Sequence, residues 1–139
     1  MAVTRGEAPV IGKDALGRPV KDLSVIPWWG LDRKKIEWYP SINYDRCVGC
    51  GICFITCGRR VFEWDKEMGK PVVARPYNCM VGCSTCATLC SCDAIEFPPK
   101  DYVRRLVIEN GIIRKAFEIT KPLTENAKKT EGTESEFNP

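Results

Sequence analysis

Apolar and polar positions hold no single period for long anywhere in the chain. In the middle the apolar residues come in short runs. Val61-Phe62-Glu63-Trp64 and Ala94-Ile95-Glu96-Phe97 each read as a short strand, with Ser41-Ile42-Asn43-Tyr44 and Val72-Val73-Ala74-Arg75 as partner strands. The segment Lys66-Glu67-Met68-Gly69-Lys70 predicts the turn that joins residues 61–64 to residues 72–75. After Pro98-Pro99 the period changes. Residues 100–110 put Tyr102, Leu106 and Glu109, with Val103 and Val107, at helical spacing, and Gly111 stands where a helix C′ residue belongs. Residues 112–119 predict one further short element. From Thr120 the chain is polar and broken by Pro and Gly, which predicts a mobile or a docked extended tail. Residues 1–40 are rich in turn formers, yet Trp28, Trp29 and Trp38 fall close together there. Rings of that size need cover, either by folding back over the centre of the chain or by docking on a larger partner.

A chain of 139 residues, 44% hydrophobic, supports one small domain with appendages. The expected division is an N-terminal arm over 1–40, a central domain over 41–99, and a C-terminal helix with a polar tail over 100–139. The centre carries an internal repeat. Aligned on Cys57 and Cys90, each anchor is followed four residues on by a small or branched apolar residue, then an apolar residue, Glu and an aromatic. Upstream, Cys53 and Cys50 in the first half match Cys86 and Cys83 in the second; the outermost positions, Cys47 and Cys79, differ by one inserted residue. The predicted fold class is therefore α+β, two small hairpins related by an approximate twofold, with short helices and extended terminal arms.

All nine cysteines lie between Cys47 and Cys92. A core this small has no packing need for nine thiols, and an odd number fits a closed disulfide framework poorly. Residues 1–14 hold no apolar run of signal-peptide length, and no run of residues is long and apolar enough to span a bilayer, so a cytoplasmic location with reduced thiols is expected. Histidine is absent, which removes Rieske-type centres, Cys2His2 zinc sites and His-based catalysis. The formal charge is +3, spread as +2, 0 and +1 over 1–40, 41–99 and 100–139, with no basic stripe for nucleic acid.

The run Cys47-x2-Cys50-x2-Cys53-x3-Cys57 has the spacing by which bacterial-type chains hold iron–sulfur cubanes. Two intervening residues let a loop curl round a cubane so that three successive thiolates reach three irons. The fourth cysteine follows on a helical turn facing away and serves the other cluster. Zinc modules use separated pairs rather than three thiols in a row, plant-type [2Fe–2S] centres want Cys-x4-Cys-x2-Cys, and a [3Fe–4S] centre follows loss of a ligand that is not missing here.

On these motifs the centre, residues 41–99, resembles the two-cluster bacterial and archaeal ferredoxins, small α+β carriers of two [4Fe–4S] clusters. The resemblance implies that Cys47, Cys50, Cys53 and Cys90 hold one cluster and that Cys57, Cys79, Cys83 and Cys86 hold the other. The chain departs from the family pattern in three places. Gly58 and Ser91 stand where Pro follows the fourth cysteine, and each restores an N–H able to donate to a cluster sulfur. Cys79 and Cys83 have three residues between them instead of two, with Gly82 to bend the longer loop. Cys92 is a ninth thiol beyond the ligating turn: a spare buried thiol beside the cluster, a replacement ligand if Cys90 or Cys79 is displaced, or a redox-sensitive thiol, with the spacing favouring Cys90 as the ligand.

The function expected is one-electron transfer with low-potential electrons, without a catalytic residue or a small-molecule substrate. The alternative is a fixed iron–sulfur relay subunit of a multi-subunit oxidoreductase. Two thiolate-bound clusters would leave the chain only weakly acidic. Charge steering is then modest, which favours a dedicated redox enzyme or complex subunits as partners, with no nucleic acid and no membrane span. Arg59 and Arg60, beside Cys57, are either a solvated pair or a means of steering an anionic partner.

Overall fold

In the computed structural model, which describes residues 5–129 and only the backbone of 126–129, short paired strands alternate with short helices in an α+β architecture. In chain order the elements are β1 (Val10–Lys13), β2 (Pro19–Lys21), β3 (Ser41–Ile42), α1 (Ile52–Thr56), β4 (Phe62–Asp65), β5 (Lys70–Val73), α2 (Thr85–Leu89), β6 (Ile95–Glu96), α3 (Lys100–Glu109) and α4 (Ile112–Lys129). Single 3-10 turns cover Leu23–Val25, Arg33–Lys35 and Pro76–Asn78. Cα packing separates two units, one ending at Lys100 and one beginning at Asp101.

The expected pair of hairpins is found only in part. β4 and β5 form one, with Phe62 opposite Val73 and Asp65 opposite Lys70, and the turn between them falls on Lys66 to Gly69. The other pair joins β3 to β6, Ser41 opposite Glu96 and Ile42 opposite Ile95, so the whole cysteine-rich stretch lies between its strands. Strands of two residues cannot hold a local hairpin; this pair is closed by the packing of what it encloses, including α1 against α2. A third pair, β1 with β2, lies in the arm, where only turns are expected from the sequence. Asp14 organises its turn: the Gly17 N–H donates to the Asp14 carbonyl at 2.9 Å, and the Leu16 and Arg18 N–H groups donate to Asp14 Oδ1.

The first unit has a core with two contributors. Phe54, Val61, Phe62, Pro71, Ala94 and Ile95 come from the centre, and Val20, Leu23, Ile36 and Trp38 from the arm. Of the three arm tryptophans, Trp38 supplies the cover, stacking on Phe97 with ring centroids 5.2 Å apart while its Nε1–H donates to the Cys83 carbonyl. Trp29 instead sits at φ +52 in the tight turn between Trp28 and Leu31 and is 39% exposed.

In the second unit α3 stops at Gly111, whose φ of +62 suits a left-handed C′ residue. α4 then continues through Thr120 and Pro122 to Lys129, where the sequence predicts a tail. Proline's fixed φ is helical, and Ala116, Glu118, Lys121, Leu123 and Glu125 around it are good helix formers, so the helix carries the lost N–H. Residues 130–139 of the predicted tail lie outside the described residues. Among the described residues no helix is long and apolar enough to cross a membrane.

Candidate metal centre

Each cysteine block takes the same local path. The loop leading into α1 contains Cys47 and Cys50, the helix holds Cys53 as its second residue, and Cys57 is its C-cap, the Cys57 N–H donating to the Cys53 carbonyl at 3.1 Å. α2 repeats this with Cys86 second and Cys90 at the C-cap, bonded to the Cys86 carbonyl at 3.1 Å. The turn after each C-cap closes on a non-glycine residue of positive φ, Arg60 at +59 and Asp93 at +51, whose N–H groups donate to Cys57 and Cys90. In the second block the inserted residue is absorbed by a turn from Met80 to Cys83 with Gly82 at φ +89.

Glycine is also required in the first loop. Gly49 has φ +76, and a Cβ there would stand 2.5 Å from the Gly69 carbonyl oxygen, so the loop lies directly on the β4–β5 turn. Tyr44 Oη donates to the Pro71 carbonyl at 2.7 Å and Lys70 Nζ to the Tyr44 carbonyl at 3.1 Å, which tie the same two segments together.

Two cavities gather the thiols. One, of about 160 Å³, is lined by Cys57, Cys79, Cys83 and Cys86 among apolar walls that include Val61, Phe62 and Phe97. The other is narrower, about 20 Å³, and is lined by Cys47, Cys50, Cys53 and Cys90 with Ile42, Pro71 and Ile95; Cys92 joins them there. Cys92 thus stands beside the site, where the sequence reading puts it. It lines the second cavity as Arg59, its counterpart in the repeat, lines the first. The Ala94 N–H lies 3.5 Å from Cys90 Sγ, and the backbone N–H groups of Phe54 and Ala87 reach the sulfurs of Cys53 and Cys86.

Burial governs the chemistry of these thiols. It pushes Cys53 up to about 11, and Cys79 and Cys86 up to about 12, with neighbouring cysteines adding to the effect at all three. Such thiols are poor nucleophiles at neutral pH, which argues against a reactive-cysteine role; metal binding would take their protons away. Among the described residues no three Cys, Asp or Glu side chains converge on a point where they could share one ion. Thiolates round a single zinc, each about 2.3 Å from it, would crowd to about 3.8 Å of one another, whereas those of a cubane each take a different iron and stand farther apart. Thiols without carboxylate or imidazole in an apolar cavity, four at the first and five at the second, suit an iron–sulfur cluster, and the first has more room than the second.

Three residues that hold the site carry no signal in the cysteine spacing. Arg33 is 4% exposed and donates from Nε and Nη2 to the Cys79 carbonyl at 3.1 and 2.8 Å, from Nη1 to Ile36 at 2.7 Å and from Nη2 to Trp38 at 2.5 Å. Asn78, also buried, accepts from the Leu23 N–H and donates to the Lys21 and Arg59 carbonyls. Arg18 donates to the carbonyls of Phe54 and Ile55 at 3.0 Å, groups left without partners at the end of α1, and is itself held by Asp14 Oδ2 at 2.7 Å. Burial pushes the Asp14 carboxyl up, but the hydrogen bonds and charge of Arg18 and the Leu16 N–H outweigh it and hold the group below its usual value. All three bind the arm to the ligand loops, and only their tertiary contacts reveal them.

Residues 40–63 match the family model for 4Fe-4S binding domains. The chain is 46% identical over 79 residues to an uncharacterized ferredoxin of Methanocaldococcus jannaschii, covering 55% of this chain and 52% of the relative, so it spans about half of that protein's length. It is 43% identical over 51 residues to a subunit of the NAD-dependent dihydropyrimidine dehydrogenase of Escherichia coli, covering 34% of this chain and 12% of the subunit. It is also 37% identical over 73 residues to Ferredoxin-3 of Nostoc sp., covering 38% of this chain and 74% of that ferredoxin. With the motif, the thiol-lined cavities and this coverage together, the chain belongs to the ferredoxin family of iron–sulfur-binding electron carriers.

Proposed function

We propose that this chain carries low-potential electrons on two [4Fe–4S] clusters in the cytoplasm, one held by Cys47, Cys50, Cys53 and Cys90 and the other by Cys57, Cys79, Cys83 and Cys86. What supports this reading is the composition of the two cavities, each lined by three thiols of one block and the C-cap thiol of the other. When bound, such a cluster stores and releases one electron without breaking a bond.

The chain's own residues do the rest. Apolar walls (Val61, Phe62 and Phe97 at one cavity, Ile42 and Ile95 at the other) shield the inner thiols, Cys79 and Cys53, from water, while Cys50 stays exposed. The Ala94 N–H donates to Cys90 Sγ, and a bond of that kind stabilises negative charge on sulfur. α1 and α2 lie against each other, so crossed ligation would tie the halves of the repeat together through both sites.

Anaerobically prepared protein should contain about eight iron and eight acid-labile sulfide per chain, and reduced samples should show interacting paramagnetic centres. Cys57→Ser should damage the same cluster as Cys79→Ser and spare the one lost in Cys47→Ser. If Cys57→Ser and Cys47→Ser remove the same signal, the crossed assignment is wrong.

A second reading, a fixed relay subunit of an oxidoreductase, is favoured by the similarity to the dihydropyrimidine dehydrogenase subunit. Anaerobic purification without overexpression separates the two: a lone small brown protein supports the carrier, a stoichiometric complex the relay.

A further inference from the structure

Beside the first thiol cavity lies a second feature, a groove of about 250 Å³ lined by Arg5, Pro19, Lys21, Leu23, Gly58, Arg59 and Arg60. Four of these seven residues are cationic and none is acidic. Their positions are held by backbone carbonyls: Arg5 Nη2 donates to Gly58 at 3.0 Å, Lys21 Nζ to Arg5 and Gly6, Arg59 Nε to Asn78 and Arg60 Nη1 to Cys57. Carbonyls fix a guanidinium without neutralising it. Among the described residues no carboxylate lies within ion-pair distance of Arg5, Lys21 or Arg59. Arg60 reaches Asp14 at 3.8 Å, but that carboxylate is already engaged by Arg18 at 2.7 Å. In a chain whose formal charge is only +3, this is a concentration of uncompensated charge.

Its position gives it a use. Gly58 and Arg59 line both the groove and the cavity of Cys57, Cys79, Cys83 and Cys86, so one wall separates the two. That wall is thin at Gly58, which has no side chain and above which the nearest atom to an added Cβ would be Arg5 Nη2 at 3.8 Å. The cations come from both the arm (Arg5, Lys21) and the turn after α1 (Arg59, Arg60), so the groove exists only when the arm is docked.

We propose that this groove is the docking site for a carboxylate-rich face of the protein's redox partner, seated against the wall of the Cys57 cavity. Opposite charge would orient the partner there and raise the encounter rate, as complementary patches do in transient complexes. The proposal rests on the function proposed above only in giving the neighbouring cavity a redox role; the charge arrangement stands by itself.

The test uses iron-loaded full-length protein and a hexaglutamate peptide as a probe of the acidic face, followed by titration calorimetry at low salt. The peptide should bind, hexalysine should not, and affinity should weaken as salt rises. Arg5→Gln combined with Lys21→Gln should lower hexaglutamate affinity at least tenfold, while Lys66→Gln, a charge removed from outside the groove, should leave it unchanged. Equal affinity in the wild type and the double variant overturns the proposal, as does absence of binding. If inorganic phosphate binds more tightly than the peptide and the double variant loses it, the groove is a small-oxyanion site and the docking proposal also falls. Iron is assayed in the same samples: too little iron would overturn the cluster assignment, whereas the peptide titration judges the groove alone.

Discussion

Arg33→Met is the sharpest test of how the arm is joined to the ligand loops. Methionine keeps the apolar stem and removes every donor, so the carbonyls of Ile36, Trp38 and Cys79 lose the guanidinium that now serves all three. Each buried carbonyl left without that partner costs about 1–3 kcal/mol. Relief from holding a charge that is 4% exposed offsets part of the sum. The net loss should be about 3–5 kcal/mol, the range for removing one member of a buried charged interaction. That is a large share of the roughly 5–15 kcal/mol that stabilises a small domain. For a unit of this size, 3 kcal/mol lowers the apparent Tm by at least about 12 °C. The assay is anaerobic thermal unfolding followed by tryptophan fluorescence, because Trp38, whose carbonyl Arg33 holds, is stacked on Phe97 and reports release of the arm. Arg33→Lys should fall between the two, since a point-like ammonium keeps the charge but cannot span three carbonyls. An Arg33→Met protein melting within about 4 °C of the wild type, a difference of under about 1 kcal/mol, would refute the argument.

Gly49→Ala should cost more than Gly17→Ala although both glycines are left-handed, at φ +76 and +79. Alanine at 17 pays only the backbone strain of about 1–2 kcal/mol, whereas at 49 it also meets the Gly69 carbonyl oxygen at 2.5 Å; melting temperatures and iron content should fall further in the second. Cys92→Ala should retain full iron, because Cys90 holds the C-cap position that Cys57 holds in the other half and receives the Ala94 N–H; loss of about half the iron would show that Cys92 is the ligand. Asp14→Asn should destabilise the protein by about 2–3 kcal/mol, within the range for losing a hydrogen-bonded charge. The gap should stay constant from about pH 6 to pH 9: a carboxyl whose folded pKa is depressed stabilises above its unfolded pKa of about 3.9, and that contribution is lost only as pH falls through the folded value. Melting curves across that range would expose any narrowing.

The cysteine motif of this chain is local, and its spacing is enough to mark iron–sulfur binding. A thiol every third residue leading into a short helix, repeated around Cys57 and Cys90, dictates loops able to wrap a cluster, because reach over two or three residues is set by covalent geometry. The turn after β4, the end of α3 at Gly111 and the bend at Gly82 were legible for the same reason, since each depends on the φ freedom of one residue and its neighbours. Pairings of residues far apart in sequence were not. Strands as short as Ser41–Ile42 and Ile95–Glu96 carry no register signal, and their match is made only once α1 and α2 pack between them. Arg18, Arg33, Asn78 and the groove cations Arg5 and Lys21 read along the chain as ordinary polar residues of a turn-rich arm and loops, and Arg59 and Arg60 as a charged pair without the arm residues that join them. Folding buries or crowds them against carbonyls up to 57 residues away, and the low dielectric there turns each hydrogen bond and each uncompensated charge into something that matters.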